Sequence, residues 1–194
     1  MKLYLSVILS AMTIVGAVNI LVGTAVWYYV IFSVIWCTAL QFVLDAIIAF
    51  TISKMPCEWF GIDKRIFFVS KKEKALYRFL RVREWKDKVW ELGGLGGFSK
   101  KKLKEPKSPE YIERFIIECN KGVITHRLSY FIGYLAMLTI FNVCAFTIAF
   151  PIATVNLVLN VMPTLILRYN TPRLHAVLTR MQRSAAKANK DQYV

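Results

Sequence analysis

Two long apolar runs organise this sequence. Between Leu3 and Ser53 the one charged residue is Asp45, and between Leu128 and Leu167 there is none. Each run is about twice the roughly 20 residues that a single membrane-crossing helix needs, so each predicts a pair of antiparallel helices. Val22-Gly23-Thr24 is the natural turn of the first pair. For the second pair the turn signals are Phe150-Pro151 and Ala153-Thr154-Val155-Asn156. The pattern therefore predicts an all-α integral membrane protein with four transmembrane helices as two hairpins. Residues 1–53 form the first transmembrane hairpin, 54–127 an interfacial helical region, 128–167 the second hairpin and 168–194 a basic tail. A Lys followed by an apolar stretch also opens signal peptides, but this run continues to Ser53 with no small-residue cleavage site leading into a polar segment, which favours a retained helix.

Charge sets the orientation. The chain holds 26 Lys and Arg against 12 Asp and Glu, a formal net charge of +14, although 56% of its residues are hydrophobic. The cations are confined to Met1-Lys2, the segment from Lys54 to Arg127 and the tail from Arg168. Two hairpins bring those three regions to one face, and the positive-inside rule makes that face cytoplasmic. The expectation is a multi-pass plasma-membrane protein with both termini and the central loop in the cytoplasm. Both hairpin tips are uncharged, so any chemistry belongs to the cytosolic side or the inner leaflet.

The central region mixes Trp59, Phe60, Phe67, Phe68, Tyr77, Phe79, Trp85 and Trp90 with many Lys and Arg. Amphipathic helices lying in the interface have this composition, with rings at headgroup depth and cations on phosphates. Basic stretches with interleaved aromatics also bind nucleic acid. Here they adjoin membrane spans, so anionic lipid headgroups are the expected partner and nucleic acid is not. Gly93, Gly94, Gly96 and Gly97, followed by Lys100-Lys101-Lys102, read as a flexible linker held on anionic lipid. A phosphate-binding loop would follow a strand and end in G-K-[ST], which this stretch does not. Cys37, Cys57, Cys119 and Cys144 are scattered, with His126 and His175 the only histidines, so neither a metal site nor a disulfide framework is expected.

Ser108-Pro109-Glu110 supplies a cap, a first-turn proline and an early acid, and starts a helix. Ile112, Phe115, Ile116, Cys119, Val123 and His126 share one face of it at helical spacing. An imidazole thus sits on the apolar stripe where the second apolar run begins. It is either a hydrogen-bonded structural residue or a general base, imidazole being the side chain best matched to neutral pH. Glu118 lies about 80° round the same helix, at roughly 100° per residue; it either orients His126 or pairs with Lys121 one turn on. Asp45 is costly in hydrocarbon and is either functional or made structural by a partner such as Lys54 or Asn160. Asn142, Asn156 and Asn160 read as interhelical hydrogen-bonding residues. Neither histidine begins the H-x-x-x-x-D block of glycerolipid acyltransferases, since five residues on stand Phe131 and Arg180.

Three blocks, RFLRVREWKDKVWELGG, ECNKGVITH and RYNTPRL, resemble in this order the glycosyl-4,4'-diaponeurosporenoate acyltransferase family of staphyloxanthin-type carotenoid biosynthesis. The last two are similar to the family patterns E-T-x-R-A-E-x-x-H-W and R-Y-N-R-P-R-L. Cys119, Lys121, Gly122, Val123 and Arg127 stand where the pattern has Thr, Arg, Ala, Glu and Trp, and Thr171 where it has Arg. The resemblance runs from about Tyr77 to Leu178. It implies transfer of a fatty acyl group to a sugar hydroxyl of a membrane glycolipid. It puts the patterned acid and histidine on Glu118 and His126, and the patterned Arg and Asn on Arg168, Asn170 and Arg173.

Acyl transfer from a thioester needs a base for the attacking hydroxyl, donors for the oxyanion, and cations for the donor's phosphates. His126 and Glu118 are the catalytic candidates. Arg168, Asn170 and Arg173 are the substrate-binding candidates, joined by Trp85 and Lys86, an aromatic and a cation side by side in the first block. Acyl-CoA or acyl carrier protein is the expected acyl donor, with no bound cofactor. A homo-oligomer is compatible with the sequence. Pro172 is expected to break the helix and free the carbonyls of Arg168, Tyr169 and Asn170 near the interface, as a seat for an anionic headgroup. The bland reading of RYNTPRL is a stop signal of cations and proline at the end of a span. Two competing classes remain: a non-catalytic adaptor for anionic lipid, and a small transporter built on Asp45 and the asparagines.

Overall fold

The computed structural model describes residues 2–89 and 103–192, with side chains from 4 to 89 and from 103 to 187. Trp90, the Gly-rich linker and Lys100-Lys101-Lys102 lie outside the described residues. The described chain is helical, with no strand. Its α-helices are α1 (Lys2–Val22), α2 (Trp27–Lys54), α3 (Lys71–Phe79), α4 (Val82–Trp85), α5 (Pro109–Ile132) and α6 (Phe150–Gln192). Three stretches are long and apolar enough to cross a membrane: Tyr4–Val22, Trp27–Lys54 and Ala145–Lys187. The chain is read as a membrane protein on this ground. The remaining apolar segment is the end of α5 and a 3-10 helix, Gly133–Thr139.

The chain divides into two units. The first comprises Met1–Lys54 and Ile124–Met162. Its first turn falls at Gly23, whose φ of 71° is a conformation that favours glycine. The second falls over residues 140–143, around Asn142 at φ 61°, and not at Phe150-Pro151 or Ala153–Asn156. Asparagine tolerates the left-handed region better than most residues, and this lets it close the turn without a glycine. Tyr134 Oη lies 3.2 Å from Thr154 Oγ1, and His126 Nδ1 lies 2.8 Å from Asn160 Oδ1, so the two arms run antiparallel. Val30, Val34 and Cys37 of α2 pack with Ala136, Ile140, Cys144, Ile148, Ala149 and Ile152 to form the core.

Prolines shape how α1 attaches. An uninterrupted α-helix would pair the carbonyls of Thr147 and Leu159 with the N–H groups of residues 151 and 163, and both of those are proline. Asn19 Nδ2 donates to the Thr147 carbonyl at 3.0 Å, and Tyr4 Oη donates to that of Leu159 at 3.4 Å. Asn19 is the one buried side chain among the described residues of α1; the rest are half-buried or face outward. Polar groups thus fasten a helix that also packs Met12 and Val15 against the core and turns much of its remaining surface outward. Asn19→Leu is expected to cost roughly 1–2 kcal/mol, read as a lower denaturation midpoint of the detergent-solubilised protein.

The second unit comprises Met55–Val123 and Pro163–Val194. α5 opens as its sequence predicts: Ser108 Oγ accepts from the Tyr111 N–H at 3.1 Å. Ile112, Phe115, Ile116, Cys119 and Val123 are buried along one face and pack on Leu167, Leu174 and Leu178 of α6. That packing carries α6 through Pro172, which lies inside the helix and does not end it. A mid-helix proline costs about 3 kcal/mol. The rows of buried leucines on either side of Pro172 offset it, and Thr171 Oγ1 donates back to the Leu167 carbonyl at 2.8 Å.

Candidate active site

Within the first unit, the buried face of α2 is apolar except at Ser33, Gln41 and the half-buried Asp45. α6 presents Asn156 and Asn160, one turn apart, and α5 presents His126. Asn160 is buried, at 8% exposure, and joins the three helices. Its Oδ1 lies 2.8 Å from His126 Nδ1. Its Nδ2 donates to the Asn156 carbonyl and to Asn156 Oδ1, both at 3.1 Å, and faces Asp45 Oδ2 at 3.4 Å.

These contacts assign the imidazole tautomer. The amide nitrogen of Asn160 is surrounded by oxygens, so its oxygen must be the atom turned to His126. His126 Nδ1 then carries the hydrogen and donates it, which leaves the basic lone pair on Nε2. A carboxylate, an amide and an imidazole are thus connected in series. An oriented imidazole with a fixed tautomer is the form a general base requires. Asp45 lies nine residues before Lys54 on α2, about 14 Å along the axis at 1.5 Å per residue. The chain of groups therefore sits inside the apolar run, within reach of its charged end.

In the second unit, Arg168 is buried at 6% exposure. Its Nε and Nη2 form a two-pronged pair with the Glu73 carboxylate, the Nη2 arm at 2.8 Å. Nη2 also donates to the Phe68 carbonyl at 3.1 Å and Nη1 to that of Ile66 at 3.5 Å. Tyr77 donates its hydroxyl to Glu73 as well, and Ser70 Oγ caps α3 by accepting from the Glu73 N–H. Arg168 thereby fastens α6 to α3 and to the extended segment before it. Burial acts to raise the Glu73 pKa, but hydrogen bonds from Arg168 and Tyr77 and the guanidinium charge outweigh it and hold the carboxyl below its usual range. Since the folded value is the lower one, the pair stabilises fully above the unfolded carboxylate value near 4.3 and is lost as pH falls through the folded value. The unfolding midpoint is expected to stay flat from neutral pH to about pH 5 as far as this pair is concerned, and to drop below about pH 4. In Glu73→Gln that part of the acid drop should be missing.

The other expected site residues are placed as follows. Glu118 pairs with Lys121 at 3.8 Å, and the group presented to His126 is Asn160. Arg173 is exposed and stacks on the Tyr169 ring, 4.5 Å from its centroid, while its Nη2 donates to the Tyr169 hydroxyl at 2.6 Å. Asn170 is half-buried on α6. Trp85 donates its indole N–H to the Leu80 carbonyl at 2.9 Å, and Lys86 pairs with its neighbour Asp87 at 3.1 Å. A recess of about 310 Å³ lies beside Pro172, lined by Phe67, Phe68, Val69, Thr171 and His175. Sequence reasoning missed Glu73. Its signal was the S-x-x-E spacing from Ser70, which marks a helix start and places a carboxylate there without revealing the arginine it serves.

Residues 56–180 match the family model described as glycosyl-4,4'-diaponeurosporenoate acyltransferase, CrtO. No curated protein and no solved structure matches the chain.

Proposed function

With more than half of its length matching that model, the chain belongs to the glycosyl-4,4'-diaponeurosporenoate acyltransferase family, and we propose that it esterifies a sugar hydroxyl of a membrane glycolipid, such as a glycosylated carotenoid, with a fatty acyl group. The observation that carries this reading is the Asp45–Asn160–His126 series and the tautomer it enforces. His126 Nε2 takes the proton from the sugar hydroxyl as its oxygen bonds to the acyl carbonyl carbon. The carbon–sulfur bond of the acyl thioester then breaks, and the proton passes to the leaving thiolate. Asn160 keeps the ring in place, and the Asp45 charge favours the imidazolium that forms between these steps. The sugar of a membrane glycolipid lies near headgroup depth, which matches a base set just inside an apolar run.

The proposal includes the orientation derived from charge: two hairpins, with the basic central segment and both termini on the cytoplasmic side, where acyl-CoA or acyl carrier protein is supplied. Exposed Arg173 is suited to the anionic groups of donor or lipid, with Asn170, Trp85 and Lys86 as further contacts. Arg168 contributes by fastening its own unit. The test is made on the full chain in lipid nanodiscs, given a glycosylated carotenoid or a simple glycolipid together with an acyl thioester. Lipid mass spectrometry is expected to show the acceptor gaining one acyl group with loss of the thiol. A well-inserted protein that esterifies no sugar-bearing lipid would overturn the proposal.

A further inference from the structure

We propose that the side-chain amides of Gln41 and Asn156, which converge on Gly133, are the donor pair that receives the carbonyl oxygen of the acyl group as it becomes an oxyanion. This rests on the acyltransferase reading above. Gln41 is 5% exposed, yet its Nε2 has no hydrogen-bond partner among the described residues, and neither has Asn156 Nδ2. Buried amide donors are ordinarily satisfied, because leaving one unpaired in apolar surroundings is costly. Two of them together, on the buried face of a membrane unit, form a place prepared for an acceptor atom.

Gly133 brings the two together. A methyl group built on it would stand 3.3 Å from Asn156 Nδ2 and 3.7 Å from Gln41 Cδ, so both amides border the same small volume. Asn160 links that volume to the base: its Nδ2 holds Asn156 by Oδ1, which turns the Asn156 NH2 away from that bond, and its Oδ1 holds His126. One side chain thus orients both the proton acceptor and one of the oxyanion donors. Neutral amides suit this depth, since they stabilise developing charge without a permanent cation to desolvate. In the balanced step, the hydroxyl oxygen bonds to the acyl carbon, the carbonyl π pair moves onto the oxygen facing the amides, and it returns as the thiolate leaves.

A structural alternative exists on the same helix. Asp45 Oδ1 also has no partner among the described residues, and Gln41 lies one turn before it, so Gln41 would serve Asp45 if the two paired. The variants Gln41→Met and Gly133→Ala separate the readings, with kcat, KM and thermal midpoint measured for ester formation by the purified full chain. Loss of one oxyanion donor lowers kcat about 10²–10³-fold, so Gln41→Met is expected to fall by that factor with KM within a few-fold and a midpoint unchanged or raised. Gly133→Ala adds a methyl without removing a donor, and is expected to lower kcat on the order of tenfold to a hundredfold by displacing Asn156. Wild-type-like kcat in both variants would overturn the donor assignment while leaving the acyltransferase intact. A lowered midpoint in Gln41→Met with kcat unchanged would instead assign Gln41 to Asp45. Absence of any ester from wild type would overturn the acyltransferase reading and this assignment with it.

Discussion

His126→Ala is expected to lower the rate of ester formation about 10²–10⁴-fold per inserted molecule, the usual contribution of a positioned general base. A sugar hydroxyl is a poor nucleophile while it keeps its proton, and a methyl group cannot accept that proton. Insertion should be unaffected, because His126 is only half-buried and its loss leaves Asn160 with Asp45 and Asn156 as partners. Asn160→Leu should lose activity with the imidazole still present, since His126 Nδ1 then loses the amide oxygen that assigns its tautomer. Glu118→Gln should be far milder, because that carboxylate pairs with Lys121. The measurement is ester yield by lipid mass spectrometry, normalised to protein recovered in the membrane. Full activity in His126→Ala would remove the base from the mechanism.

Arg168→Ala acts by another route and is expected to destabilise the second unit by about 3–5 kcal/mol, the range for breaking a buried ion pair from one side. Glu73, 23% exposed at its side chain, would lose its two-pronged partner, and the Phe68 and Ile66 carbonyls would lose their donors. Arg168→Lys should recover little, because an ammonium cannot reach a carboxylate and two carbonyls with one planar fork. The double variant Arg168→Met with Glu73→Gln should recover much of the stability, since paired removal leaves no buried charge behind. Its activity then decides the role of the arginine. If the double variant is stable and active, Arg168 is a clamp; if stable and inactive, Arg168 touches substrate. Thermal midpoints in detergent, read beside ester yield, separate the two.

What the sequence made legible was local. The turn at Gly23, the cap at Ser108 and the buried stripe of α5 from Ile112 to Val123 each depend on residues within a few positions of one another, where spacing and side-chain chemistry suffice. The Asp45–Asn160 contact could be named because an acid in an apolar run demands a polar partner and few were on offer. Glu73 and Arg168, 95 residues apart, gave no such demand, since each stands among other charges in the chain. Pro172 misled because local propensity says stop while the leucines packed on α5 say continue, and packing won. Asn142 misled in the opposite way: the turn used a residue with a tolerable left-handed conformation in place of the nearby proline. His126 reads as a candidate base beside Glu118, but a side chain hydrogen-bonded to it, Asn160, lies 34 residues away on another helix.

The attachment of α1 has a consequence for biosynthesis. Tyr4 and Asn19 precede the carbonyls they serve by 155 and 128 residues, so α1 enters the bilayer long before its acceptors, Thr147 just ahead of α6 and Leu159 within it, exist. Until then Asn19 Nδ2 has the Val15 carbonyl of its own helix, at 2.8 Å, as its partner, and the Thr147 carbonyl that it also reaches is left open by Pro151 only when the later segment is made. The polar fastening of the earliest helix is therefore a late event, dependent on completion of the latest one, while its packing against α2 is available from the start. A nascent chain stopped before Thr147 should hold α1 by its packing on α2 alone, without the two polar contacts that later fix it.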